Sequence, residues 1–158
     1  MPMTVFISHK KEDSIIAGYI CNELRKLGVN SYLDILEGDL LLHGEKLTNH
    51  IKQRLNNCTD LLAVMSDKTQ ESWWVPVEIG MAAQRDFPIV SYLVNKVQLP
   101  EYLSYWPTLR QTTDLHKYVK AKEKALLETA TIQKSYNMYG VPAPSSTETF
   151  YKNLRSML

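Results

Sequence analysis

Apolar residues along the 158-residue chain recur with two different periods. Thr4 to Ser8, Val29 to Asp34, Asp60 to Ser66 and Ile89 to Val94 are short apolar runs bounded by polar or turn residues, and they predict strands. The run from Asp60 is almost wholly apolar, which predicts a strand in the middle of a sheet. Between the runs the apolar positions move to helical spacing. Ile15, Ile16, Tyr19, Ile20, Leu24 and Leu27 mark a first helix, with Asp13 placed to cap its start and Gly28 to close its end. Leu47, Ile51 and Leu55 mark a second helix. Ile79 to Ala83 continue a third, which stops near Asp86-Phe87-Pro88.

The later part of the chain is less regular. Pro100 to Trp106 predicts a short helix or turn, and Leu109 to Thr113 a short fifth strand at an edge. Leu115 to Lys134 predicts a helix with Leu126, Leu127 and Ile132 on one side. Tyr136 to Pro144 reads as a linker. Ser145-Ser146-Thr147-Glu148 matches a capping box ahead of a last helix, Thr149 to Met157. Strands alternating with helices predict an α/β fold with a parallel sheet covered on both faces. In such sheets function gathers beyond the carboxyl ends of the strands. Ser8 to Lys11, Asp34 to Gly44 and Ser66 to Trp74 are the loops at that end.

Composition narrows the class of protein. Hydrophobic content of 44% and charged content of 22% are ordinary for a globular domain, and a chain of this length can bury its own core. The formal net charge of +1 provides no global field to recruit nucleic acid or an anionic membrane. Met1 to Ser8 lacks the basic start and apolar core of a signal peptide, and no run approaches the roughly 20 apolar residues that span a bilayer. Cys21 and Cys58, both in apolar surroundings, read as reduced buried thiols. A cytoplasmic location is expected.

Several chemistries are absent from the sequence. It has no Gly-x-Gly-x-x-Gly, no Gly-Lys-Ser/Thr loop and no Gly-x-Ser-x-Gly elbow. His9, His43, His50 and His116 lack metal-ligand spacing, so no metal site is expected. Glu78 stands out instead, within Ser72-Trp73-Trp74-Val75-Pro76-Val77-Glu78-Ile79-Gly80. A carboxylate among aromatic and aliphatic groups loses hydration, which holds it for chemistry or for a buried partner. Pro76 belongs in the first turn of a helix, which places Glu78 near that helix's start. If the helix begins early, Trp74 and Glu78 share a face; if it begins at Pro76, only approximate proximity remains. Spacing alone also allows a plainer role, a first-turn acid favoured by the helix dipole beside core tryptophans.

Four segments in order carry a resemblance. They are Phe6-Ile7-Ser8-His9-Lys10-Lys11-Glu12-Asp13, Gly28 to Asp34, Leu62-Ala63-Val64-Met65-Ser66, and Ser72 to Glu78. Together they resemble a bacterial TIR domain. The resemblance implies a flavodoxin-like parallel five-stranded sheet, with residues 1–120 as the TIR core and residues 121–158 as a helical extension packed on or beside it. It also implies cleavage of the nicotinamide–ribose bond of NAD+, which is substrate rather than cofactor. Glu78 carries over as the catalytic carboxylate and Trp74 as its neighbour beside the substrate. Ser8, His9, Lys10, Asp34 and Ser66 carry over as substrate-lining residues. The Leu40-Leu41-Leu42 run departs from the family's commoner pattern in the Asp34 to Gly44 loop.

Stand-alone bacterial TIR proteins of Thoeris-type anti-phage systems make a cyclic ADP-ribose messenger for a separate effector, and the resemblance extends to that role. Neither nucleic acid nor membrane is expected as a partner. Two other functions fit parts of the sequence. A non-catalytic TIR interaction module would use Asp34 to Gly44 for self-association. A nucleoside deoxyribosyltransferase shares a related fold and also uses a glutamate, although the Phe6-to-Asp13 segment argues against it.

Overall fold

The computed structural model describes residues 2–33, 44–69, 74–99, 101–141 and 145–158, with the side chains of Leu47, Trp74 and Tyr102 outside that description. Asp34, the Leu40-Leu41-Leu42 run and Ser72-Trp73 also lie outside the described residues.

The described strands are β1 (Thr4–Ser8), β2 (Asn30–Leu33), β3 (Asp60–Met65), β4 (Ile89–Leu93) and β5 (Thr108–Leu109). They form one sheet in the order β2-β1-β3-β4-β5, and every neighbouring pair is parallel. All six residues of β3 are buried, as its apolar run predicts for the central strand. The helices are α1 (Ser14–Lys26), α2 (Gly44–Asn56), α3 (Trp74–Gln84), α4 (Thr112–Tyr139) and α5 (Ser146–Met157).

Alternating side chains divide the core between two faces of the sheet. Val5, Ile7, Leu62, Val64 and Val90 meet α1, α4 and α5 on one face. Phe6, Leu61, Ala63, Met65 and Ile89 meet α2 and α3 on the other. This strand order and two-sided cover make the molecule a flavodoxin-like α/β fold with a C-terminal helical extension. Gly28 ends α1 at φ 78, where its N–H bonds Arg25 O and the Val29 N–H bonds Leu24 O. Those paired bonds require the left-handed conformation that glycine adopts at no steric cost.

Four local expectations need correction. β5 spans only Thr108–Leu109, because α4 already begins at Thr112. The Asp114 carboxylate accepts the Arg110 and Gln111 N–H groups at 2.9 and 3.2 Å, starting the helix where a strand end was expected. Burial alone would raise the Asp114 pKa, but these two bonds and the Lys117 ammonium together hold it below the usual carboxylate value.

The expected linker from Tyr136 is helical through Tyr139, since no breaker intervenes before Gly140 at φ 68. The buried face of α4 is Leu115, Tyr118, Val119, Lys122 and Ala125 rather than the expected side, and Leu127 is 73% exposed. Asp13 stands at the N-cap of α1 without capping it. At the last helix Ser145 does cap, its hydroxyl accepting the Thr147 N–H at 3.2 Å.

The C-terminal helix is part of the core. Phe150, Tyr151 and Leu154 pack into the cluster on the α1 and α4 face. The Ile89 N–H donates to the Tyr151 hydroxyl at 2.9 Å, which ties α5 to the start of β4. Burial pushes the pKa of that hydroxyl up to about 12.

Candidate active site at the β1–β3 crevice

Strand order reverses between β1 and β3, because the chain leaves β1 for β2 on one side and later returns to β3 on the other. The connections from the two strands therefore part in opposite directions and leave a crevice beyond their carboxyl ends. Ser8 is the last residue of β1 and is in register with Ala63, so Ser66 begins three residues beyond that level. Ser8, His9, Asp13, Ser66, Thr69 and Glu78 are all buried polar residues of these segments.

Glu78 comes from α3. Val75, Ile79 and Ala82 of this helix are buried, while Pro76, Val77 and Gly80 are exposed. Spacings of three, four and seven define the face turned to the sheet, and Glu78 lies on it, three residues after Val75. Its exposure is 0%, at a position where packing calls for an apolar side chain. The Ser8 hydroxyl donates to Glu78 Oε2 in a close hydrogen bond. An acceptor within this bond satisfies part of what burial removes from the carboxylate.

The helix begins at Trp74, so Trp74 precedes Glu78 by one helical turn, and Glu78 stands in the second turn. The dipole's influence fades beyond the first turn, so the favourable first-turn acid expected as the plainer role does not describe this position. Pro76 falls within the first turn, where its missing N–H forfeits no helical bond.

The remaining candidates separate into distinct positions. His9 is buried, and its Nδ1–H donates to Ile7 O at 3.2 Å. That donation leaves Nε2 as the other ring nitrogen. Lys10 Nζ lies 4.0 Å from Glu12 Oε2. Ser66 bonds Asp13 rather than Glu78, its hydroxyl donating to Asp13 Oδ2 at 2.6 Å. Asp34 belongs to residues outside the description. The structure thus joins Ser8 to Glu78 and adds a residue that the sequence treated only as a helix cap. No local signal reveals the role of Asp13, because its partner is 53 positions away.

A buried charge pair lies at the opposite end of β3. Lys122 Nζ of α4 is 3.0 Å from Asp60 Oδ1, and Asp60 is fully buried. Burial holds the Asp60 carboxyl above its usual value, although Lys122 and the Thr59 hydroxyl offset part of the rise. Burial and the nearby Asp60 also push the Cys58 thiol up to about 11, which keeps it protonated and unreactive. Among the described residues no cluster of histidine, cysteine or carboxylate side chains could hold a metal ion, and no helix is long and apolar enough to cross a membrane.

Residues 5–130 match the TIR domain family. The chain belongs to that family. The TIR domain of the Toll-related receptor TRR-2 from Hydra magnipapillata has the same fold, with a TM-score of 0.53 and 16% identity over 66% of this chain and 82% of that one. The TIR domains of the activated Roq1 resistosome recognizing the pathogen effector XopQ give 0.48 and 14% over 97% and 84%. No curated protein matches by sequence. The TIR match runs from β1 into α4, so both residues of the Ser8–Glu78 pair and both of the Asp13–Ser66 pair lie within it.

Proposed function

We propose that this TIR protein consumes NAD+ by cleaving the bond between nicotinamide and ribose, with Glu78 as the catalytic carboxylate. The supporting observation is a fully buried glutamate on the core face of α3, held by the Ser8 hydroxyl at the sheet's switch point. A fold spends stability to keep a carboxylate in such a position, and a cleft at the switch point is where sheets of this topology bind ligands.

One carboxylate suffices for the reaction. The C1′–N bond breaks with its electron pair leaving on nicotinamide, whose ring nitrogen becomes neutral, so no general acid is required. The ribose is left as an oxocarbenium ion, and the Glu78 carboxylate opposes that charge or holds the ribose hydroxyls. Water attacking C1′ and losing a proton gives ADP-ribose. A hydroxyl of the same molecule attacking instead gives a cyclic isomer. Trp74 is assigned the surface beside the substrate, and Ser8, His9, Lys10, Asp34 and Ser66 its lining. Lys10 brings positive charge toward the pyrophosphate. The product is assigned a signalling role in the cytoplasm, acting on a separate effector in anti-phage defence of the Thoeris type. Self-association would run through residues 34–44.

Incubating concentrated protein with NAD+ and identifying the products by mass spectrometry tests this reading. Nicotinamide should appear in equal amount with ADP-ribose or a cyclic isomer. Base exchange between nucleosides without NAD+ turnover would point to a deoxyribosyltransferase. Self-association that is lost in Leu41→Asp, with no turnover at any protein concentration, would point to an interaction module.

A further inference from the structure

We infer that Asp13 is a positioning residue, a strut that sets the spacing between the two walls of the crevice; this rests on the NAD+-cleaving reading. Asp13 occupies the N-cap of α1, where an aspartate ordinarily accepts an N–H from the first turn. It makes no such bond. Its carboxylate instead accepts the Ser66 hydroxyl, just beyond the end of β3, at 2.6 Å. Both residues are buried, Asp13 at 8% and Ser66 at 4% exposure. A carboxylate that gives up a local cap and solvent for one distant hydroxyl is placed for the distance it spans.

The strut joins two segments that are each already closed. On the β3 side, the Ser66 N–H donates to Thr69 Oγ1 at 2.8 Å, and the Thr69 N–H returns to Ser66 O at 3.1 Å. The Lys68 N–H also donates to Ser66 Oγ at 3.1 Å, so this hydroxyl accepts one bond while giving another to Asp13. On the β1 side, the Asp13 N–H donates to Lys10 O at 2.8 Å, and the Ser14 hydroxyl donates to Lys11 O at 2.6 Å. Two stiff turns connected by one short bond move together.

The Ser8–Glu78 bond links β1 to α3, and the Asp13–Ser66 bond links the same β1 connection to the segment that leads into α3. The chain between Ser66 and Glu78 therefore closes a ring through both bonds. Opening the Asp13 bond leaves the two walls joined at the Ser8–Glu78 bond, a single point about which His9 and Lys10 can shift relative to Glu78. A displacement of about 1 Å can lower a rate roughly 100-fold without removing any group that touches the substrate.

The test compares Asp13→Ala, Asp13→Asn, Ser66→Ala and the Asp13→Ala/Ser66→Ala double variant. Each is assayed for kcat and KM with NAD+, for thermal midpoint and for amide hydrogen exchange. Asp13→Ala should lose roughly 30-fold in kcat with KM changed by less than about threefold, and exchange at 10–14 and 66–69 should quicken. Asp13→Asn keeps an oxygen that accepts from Ser66, so its kcat should return to within about threefold of the parent. The double variant should be no slower than Asp13→Ala, since one bond is lost in both. If Asp13→Ala fails to fold, a folded Ser66→Ala must show the same loss of kcat with KM changed by less than about threefold and the same quickened exchange at 10–14, which loss of a substrate contact alone would not produce. A folded Asp13→Ala or Ser66→Ala with parental kcat overturns the strut while leaving NAD+ cleavage intact, and so does an Asp13→Asn as slow as Asp13→Ala. Absence of turnover in the parent protein itself overturns the underlying reading, and the positioning role with it.

Discussion

Glu78 and Ser8 are separated by 70 positions, and their partnership exists only in the folded chain. The composition around Glu78 made it visible in the sequence, but nothing there specified a hydroxyl donor. A hydroxyl held against a carboxylate restricts its rotation and keeps one oxygen directed. Ser8→Ala should therefore leave the protein folded and slow NAD+ cleavage about 10- to 100-fold, as expected for losing a hydrogen bond to a charged group worth about 1.5–3 kcal/mol. Kinetics at saturating substrate, alongside a thermal melt, would check this. A parental kcat would mean that the Ser8 bond serves stability alone. Asp13 was equally hidden, because its placement ahead of an apolar helical stripe has an ordinary explanation as a cap, and only the fold shows where the carboxylate goes.

The helices differ in how far their sequences disclosed them. In α1 the apolar spacing between Asp13 and Gly28 predicted the element, but of its marked positions Ile15 and Tyr19 are exposed, and Ala17, Ile20, Cys21 and Leu24 are the buried residues. In α4 apolar residues occur on several sides, so the exposed Leu126 and Leu127 competed with the true core face. Lys122 interrupts that face, and a charge in an otherwise buried stripe signals a buried partner, here Asp60. Lys122→Met should cost about 3–5 kcal/mol at pH 7, because it leaves Asp60 buried without its counter-charge. The sign of the pH effect follows from burial. Without Lys122 the folded carboxyl binds a proton that the unfolded chain has already released, so folding is favoured as pH falls. Denaturant unfolding should show the deficit shrinking between pH 7 and pH 5. An equal deficit at both values would contradict an Asp60 carboxyl that burial makes take up a proton in the folded variant.

At the scale of the whole molecule, the alternation of strands and helices was sufficient to predict the parallel sheet, and the apolar run of β3 its central place. The sequence could not place α5, because an amphipathic terminal helix suits a core or a partner equally well. Here Phe150, Tyr151 and Leu154 complete the core, and Tyr151 holds the start of β4. Removing residues 142–158 should delete three large buried side chains worth about 1.5–3 kcal/mol each and expose the core they cover, enough to unfold or aggregate the remainder. A truncated chain with the parental melting temperature would show that α5 is dispensable. The same fold buries the Glu78 carboxylate at the switch point of the sheet, and the proposed activity depends on it. The most direct test is to compare the parent and Glu78→Gln with NAD+, measuring nicotinamide and its ribosyl co-product by mass spectrometry. The parent should release both, and a folded Glu78→Gln should be slower by about 100-fold or more. Equal rates in the two proteins, or no nicotinamide from the parent at any concentration, would contradict the account.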